Sequence, residues 1–245
     1  AAPQSFYSLA ARLWPWLAAL AAALGIAGLW IGFALAPADA QQGEGYRIIF
    51  VHVPVSWMSM VIYLAMAFWA VLGLTFNTRL SGMMTRALAP TGAMFAFLSL
   101  WTGALWGKPM WGTWWVWDAR LTSELILFFL YLGYIALTSA IDDVRRADRA
   151  GALIAIVGAI NVPIIYFSVK WWNTLHQGAS VSLTKGSSMA QIMLEAMLIM
   201  GVACWMYAVA IALYRVRSII LFRERHAQWV ANLPEVQALR AGAAS

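Results

Sequence analysis

Histidines and a dense group of tryptophans are the residues of this 245-residue sequence whose types and spacing could do chemistry. His52 stands just before a long apolar run, His176 stands between two later runs, and His226 lies near the C-terminus. Five of the fifteen tryptophans fall within residues 106–120. Neutral imidazole is the commonest metal ligand in proteins and frequently holds haem iron. A metal-containing ligand with a flat aromatic body is therefore the first chemistry to consider.

Haem has requirements that these residues match. His52 and His176 would supply two axial imidazoles, and the tryptophans of residues 106–120 would supply an apolar surface for the macrocycle. Arg47 and Arg120 would bind the two propionates, because a guanidinium binds a carboxylate in bidentate fashion. We therefore predict a non-covalent, b-type haem. The alternatives are solvated interfacial histidines, and arginines paired with lipid headgroups or carboxylates.

The tryptophan-rich segment has a helical spacing. At about 100° per residue, Trp111, Trp114, Trp115 and Asp118 share one face. We predict a short helix along the membrane surface that presents a broad indole surface, with Asp118 and Arg120 at its edge. An aromatic belt at the membrane interface is the alternative, since tryptophan is enriched there. A belt does not require four indoles within residues 111–117.

The composition of the chain limits the class of protein in which these residues can lie. Hydrophobic residues make up 63% of the chain and charged residues 11%, and the mean hydropathy is +0.73. Soluble domains carry roughly 25% charged residues. This excludes a soluble enzyme, a disordered chain and a nucleic-acid-binding domain, in spite of a pI near 9.8. The single cysteine, Cys204, excludes an intrachain disulfide and a cysteine-based metal site within this chain.

Six apolar runs are long enough to cross a bilayer, which takes about 20 helical residues. The predicted fold is therefore an all-α polytopic membrane protein. The runs are Leu13–Ala36, Val53–Phe76, Ala87–Trp106, Leu121–Ala140, Ala152–Val169 and Met189–Tyr214. The first could also be a secretory signal with the small residues Ala38 and Ala40 at its end. Signal cores usually span about 7–15 residues, so we expect a retained helix.

The number of predicted membrane spans between the candidate residues shows which side of the membrane each one faces. Four crossings separate His52 from His176, and two separate residues 106–120 from either histidine, so all three face one side. Eleven of the sixteen basic residues lie on the other side, together with His226, and the positive-inside rule makes that side cytoplasmic. Both termini are then cytoplasmic and the haem site is periplasmic.

The same count divides the chain into two regions. Residues 1–214 form a six-helix membrane domain, and residues 215–245 form a basic cytoplasmic tail. The tail arginines are Arg215, Arg217, Arg223, Arg225 and Arg240. We expect the tail to contact anionic lipid headgroups, with a cytoplasmic partner as the alternative.

Two carboxylates, Glu124 and Glu195, lie inside apolar runs, where ionisable groups are costly. Arg120 precedes Glu124 by four residues, which favours an intrahelical pair. No residue near Glu195 in the sequence is an evident partner. The sequence assigns neither carboxylate a role.

The segment WGTWWVWDARLTSELILF resembles the tryptophan-rich "WWD" signature of haem-handling membrane proteins in cytochrome c biogenesis. With six spans, VHVPVSWMSM around His52 and WWNTLHQGAS around His176, the chain resembles the cytochrome c maturation protein C family (CcmC, haem exporter protein C). The resemblance covers nearly the whole chain.

The resemblance implies a non-enzymatic role at the outer face of the bacterial inner membrane. Such proteins load haem onto a periplasmic chaperone, protein E (CcmE), beside an ATP-binding-cassette complex of proteins A and B (CcmA, CcmB) and the small protein D (CcmD). It implies that His52 and His176 are axial ligands. It assigns the platform to Trp111, Trp114, Trp115, Trp117 and Asp118, and the propionates to Arg47 and Arg120.

Two other functions are consistent with six spans. A membrane redox subunit would pass electrons from quinol through a b-type haem, but such spans usually hold paired histidines inside helices. A self-contained haem transporter would need a polar path, and apart from Glu124, Glu195 and Asn161 the spans offer few polar candidates.

Overall fold

The computed structural model describes residues 2–172, 174–176, 189–234 and 236–237, and Arg240 lies outside them. These residues form eight α-helices and no strand. The helices are α1 (Pro3–Trp30), α2 (Ile49–Phe76), α3 (Arg79–Trp111), α4 (Ala119–Ala140), α5 (Val144–Gly158), α6 (Asn161–Trp171), α7 (Gln191–Arg223) and α8 (Gln228–Ala231). A π-helical turn, Ile31–Leu35, continues α1, and a 3₁₀ turn, Glu44–Ile48, precedes α2.

The prediction of six membrane-spanning helices is confirmed. Six stretches are long and apolar enough to cross a bilayer: Pro3–Leu35, Glu44–Phe76, Arg79–Trp111, Ala119–Ala140, Val144–Trp171 and Gln191–Arg223. Most of them extend beyond the predicted runs. Large apolar side chains such as Trp16, Ile26 and Phe68 are exposed on their outer faces, as lipid contact requires.

The fifth span consists of two helices. Helix α5 ends at Gly158 and α6 begins at Asn161. Pro163 lies in the first turn of α6, where its missing N–H prevents a continuous helical ladder across the break. The Asn161 amide donates to the carbonyl oxygen of Ser123 on α4 at 2.8 Å, so the polar residue at the kink is satisfied.

The buried core lies where α2, α3, α4 and α5 meet. Tyr63, Met66 and Tyr131 are fully buried there, and the rings of Tyr63 and Tyr131 pack edge to face with centroids 4.9 Å apart. Gly92 on α3 permits this packing, because a Cβ there would lie 2.2 Å from the Tyr131 ring. Helix α1 packs along α7 on the outside of this core.

The last span continues past Tyr214. Helix α7 extends to Arg223, whose guanidinium forms two hydrogen bonds, of 2.7 and 2.8 Å, with the carboxylate of Asp148 on α5. This ion pair joins α5 and α7 at the end of the bundle that also carries His226.

The predicted surface helix in the tryptophan-rich segment is not formed. Helix α3 continues through Trp111 and ends there, because Gly112 adopts a left-handed conformation with φ of 76° and its N–H bonds to the Lys108 carbonyl. Residues 112–118 are not helical. Asp118 is extended and caps α4 through its side chain. Trp111 therefore does not share a helical face with Trp114, Trp115 and Asp118, because α3 ends at Trp111.

Candidate functional site

His52 and His176 lie together at one end of the bundle. His52 is in the first turn of α2, and His176 is in the segment that follows α6. Their ring centroids are 6.2 Å apart and their planes are inclined by 36°. The prediction that both face the same side is confirmed. A metal–imidazole bond is about 2 Å long, so two imidazoles on opposite sides of one ion have centroids about 6 Å apart.

The neighbours of His52 determine which nitrogen is available. Its Nδ1 lies 3.0 Å from the hydroxyl oxygen of Thr102 on α3. That hydroxyl donates to the carbonyl oxygen of Leu98 at 2.6 Å, so it accepts from His52. Nδ1 therefore carries the hydrogen, and the lone pair on Nε2 is left for a ligand.

Gly103 also shapes this side of the site. A Cβ at Gly103 would lie 3.2 Å from Cε1 of His52, closer than ordinary van der Waals contact. The absence of a side chain on α3 thus leaves space for the imidazole ring. Neither Thr102 nor Gly103 is evident from the sequence as a site residue, because the two lie within the predicted third span, where a Thr and a Gly are common packing residues.

His176 is held through the tryptophan-rich segment. Its backbone N–H donates to the hydroxyl oxygen of Thr174 at 3.1 Å. The Thr174 hydroxyl in turn donates to Oδ2 of Asp118, whose Oδ1 accepts from the backbone N–H of Leu121 at 2.8 Å. Asp118 thus anchors the histidine segment and caps α4, and does not lie on one helical face with the tryptophans.

Trp111 contacts one of the histidine rings. It meets His176 edge to face, with centroids 6.4 Å apart. Trp106 packs perpendicular to Trp111 at 5.0 Å, and its indole N–H donates to the side-chain oxygen of Gln42 at 3.1 Å. The sequence places Trp106 only at the end of a predicted span, and nothing in it distinguishes Gln42.

The remaining tryptophans do not form one flat surface. Trp115 and Trp117 pack at an interplanar angle of 77° with centroids 5.4 Å apart. Trp114 lies beside the ammonium group of Lys108, and Trp114 and Trp117 are 55% and 78% exposed. The indole N–H of Trp115 is buried and has no hydrogen-bond partner among the described residues. The set therefore offers exposed indole edges and one unsatisfied donor.

The two predicted propionate-binding arginines differ in their surroundings. Arg120, in the first turn of α4, donates to the carbonyl oxygen of Ile165 at 2.8 Å and interacts electrostatically with His52. No described carboxylate lies within 4.0 Å of its guanidinium. Arg47 instead forms an ion pair with Glu44 and donates to the carbonyl oxygen of Gly32. Arg120 thus acts electrostatically on His52, whereas Arg47 is bound to the end of the first span.

The two intramembrane carboxylates also differ. Glu124 is buried and accepts from the hydroxyl of Ser59 at 2.8 Å. Arg120 acts on it electrostatically without forming the ion pair that the sequence favoured. Glu195 is exposed and accepts from the side-chain amide of Gln191 at 2.8 Å. A sequence-local partner for Glu195 therefore exists, one helical turn earlier, and was missed because glutamine carries no charge.

These features suit a large ligand that contains a metal ion and carries acidic groups. The spacing of the rings and the tautomer of His52 fit two-sided imidazole ligation. The side chain of Arg120 is not ion-paired within the described part of the chain, which fits a carboxylate supplied by the ligand. The donor set therefore agrees with the predicted haem.

The chain is similar to a group of known proteins along its length. The family model described as "CcmC: Heme exporter protein C" matches residues 1–231. A haem exporter protein C of Escherichia coli K12 is 46% identical over 95% of this chain and 94% of the relative. That of Bradyrhizobium diazoefficiens is 48% identical over 97% of this chain and 88% of the relative. That of Haemophilus influenzae is 45% identical over 96% of both.

Proposed function

Because the chain belongs to the haem exporter protein C family, we propose that it holds haem between His52 and His176 and passes it to a partner. Family membership and six apolar helices make it a multi-pass membrane protein of haem handling in cytochrome c biogenesis, and not an enzyme. Its bacterial relatives support a location in the inner membrane. The ligands, the partners and the orientation belong to the proposal.

The observation that carries the proposal is the pairing of the two imidazoles. Their centroid separation of 6.2 Å is close to the value of about 6 Å expected for two axial ligands of one iron. Thr102 holds the hydrogen of His52 on Nδ1, which directs the basic Nε2 to the metal. With both axial positions filled by histidine, the iron has no open position for oxygen while haem is held.

Other residues act on the parts of haem that the histidines do not reach. Arg120 binds a propionate in place of a protein carboxylate, and Trp111 packs beside His176 at the edge of the macrocycle. The exposed rings of Trp114 and Trp117 offer apolar surface both to the ligand and to a docking protein. Arg47 serves the second propionate only if it exchanges its present contact with Glu44.

The proposed recipient is a periplasmic haem chaperone of the CcmE type. The histidine end then faces the periplasm, and both termini are cytoplasmic. Transfer requires that at least one histidine–iron bond be broken, and His176 is the natural choice because it lies in a segment between helices, whereas His52 is held within α2. The chain works beside an ATP-binding-cassette complex of the CcmA, CcmB and CcmD types.

A transfer assay tests this function. Purified protein loaded with haem is mixed with the soluble domain of a CcmE-type chaperone, and haem on the chaperone is measured after separation. We expect transfer from the wild type and from His226→Ala, the matched histidine at the other end, and little from His176→Ala. Equal transfer from all three proteins would refute the proposal. Haem uptake into liposomes that hold only this chain would favour a transporter instead.

A further inference from the structure

A stripe of polar side chains leads away from His52 into the membrane domain. On α2 it consists of His52, Ser56 and Ser59, and on α3 it consists of Ser99 and Thr102. The two helices meet along this stripe, with Thr102 at 3.0 Å from Nδ1 of His52 and the hydroxyl oxygens of Ser56 and Ser99 2.6 Å apart. All but His52 are buried. Polar groups in such a place are costly unless they bond to one another.

The stripe ends at a carboxylate on a third helix. Glu124 of α4 accepts from the Ser59 hydroxyl at 2.8 Å and also interacts with the side chain of Ser99. The Tyr131 hydroxyl, two turns further along α4, donates to the carbonyl oxygen of Ser59 at 2.6 Å. Glu124 therefore interacts with hydroxyl groups from both helices that form the wall behind His52.

Glu124 also interacts with a cation on its own helix, Arg120. The two residues are one helical turn apart on α4 and attract each other electrostatically. Arg120 acts on His52 as well, and its positive charge opposes positive charge at the imidazole and on bound iron. Removing the carboxylate would leave this cation uncompensated beside the iron site.

We propose that Glu124 is a positioning residue for the haem ligand His52. It ties α2 and α3 together through Ser59 and Ser99, which keeps Thr102 opposite the Nδ1 of His52, and it balances the charge of Arg120. This inference rests on the proposed haem site. It assigns a role to a buried carboxylate that touches neither the ligand nor the histidine.

The variant Glu124→Gln tests the role, because it keeps the shape of the side chain and removes its charge. We expect about tenfold weaker haem binding, typical of outer contacts to a metal ligand. We also expect altered g-values in the electron paramagnetic resonance spectrum, which depend on the orientation of the imidazole planes, and a higher midpoint potential. Glu124→Asp should restore part of each change. Glu195→Gln, the matched change at the exposed carboxylate, should leave all three as in the wild type.

The inference fails if Glu124→Gln binds haem with the affinity, g-values and potential of the wild type. If that variant does not fold, Ser99→Ala decides instead, since it breaks the link and keeps the charge. We expect weaker binding and shifted g-values from Ser99→Ala, and wild-type values would overturn the inference. Failure of the haem site itself is distinguishable, because then His52→Ala would also bind haem as the wild type does.

Discussion

The carboxylate of Asp118 accepts a hydrogen bond from the hydroxyl of Thr174, and this contact joins two segments 56 residues apart in the sequence. The same threonine oxygen accepts the backbone N–H of His176. The position of the histidine therefore depends on a residue of the tryptophan-rich segment. Asp118 matters for the geometry of the site without having to touch a ligand.

Thr174→Val should weaken haem binding and leave the fold intact. The change keeps the size of the side chain but removes the hydroxyl, so His176 loses its link to Asp118, while the cap of α4 remains. We expect about a tenfold rise in the dissociation constant, measured by absorption titration. Thr174→Ser, which retains the hydroxyl, serves as the control.

Asp118→Ala should lose both functions of the carboxylate. Loss of a helix N-cap costs about 1 kcal/mol of stability, so a lower melting temperature should accompany weaker haem binding. An Asp118→Ala protein that melts earlier yet binds haem normally would show that the contact with Thr174 has no part in the site.

Thr102→Val should disturb His52 because the hydrogen-bond partner of its Nδ1 is lost. Without the hydroxyl, the Nδ1–H has no acceptor at this position, and the ring is free to turn. We expect haem affinity to fall by about 10- to 100-fold, with Thr102→Ser close to the wild type. Identical affinities of the valine and serine variants would contradict the assigned tautomer.

Gly103→Ala should crowd the imidazole of His52. The added methyl would lie 3.2 Å from Cε1, so the ring has to shift by a few tenths of an ångström. Gly133→Ala is the matched control, because a methyl group at Gly133 on α4 would meet no side chain within 4 Å. We expect several-fold weaker haem binding from the first variant only, and equal binding by both would show that the space beside His52 is not required.

Two tryptophan variants should distinguish a ring that supports His176 from a ring that offers exposed apolar surface. Trp111→Ala removes the ring beside His176 and should lower the fraction of haem with two histidine ligands, read from the absorption spectrum. Trp117→Ala removes an exposed ring and should weaken binding or transfer while that fraction stays unchanged. A reversed pattern would mean that Trp111 does not support His176.

Much of the architecture could be predicted from the sequence, for physical reasons. The six spans follow from the length of the apolar runs, and the shared side of His52 and His176 follows from counting them. These signals depend on averages over about 20 residues, so a single local feature does not change the outcome.

The local structure of the site could not be predicted in the same way. One glycine, Gly112, ends α3 within the tryptophan-rich segment. The helical spacing that predicted a common face for Trp111 and the later tryptophans therefore does not apply. The contacts of Thr102 and Thr174 depend on how helices meet in space, and a threonine in or near a span has no distinctive sequence signal. Arg47 and Arg120 look equivalent as residues, and only their partners distinguish them.

The ligation state of bound haem tests the central claim most directly. Ferric haem in the purified wild type should give the low-spin absorption and electron paramagnetic resonance spectra of an iron with two imidazole ligands. His52→Ala and His176→Ala should each become high-spin, and added imidazole should restore the low-spin spectrum. If either variant kept the wild-type spectrum without added imidazole, the two histidines would not bind one iron.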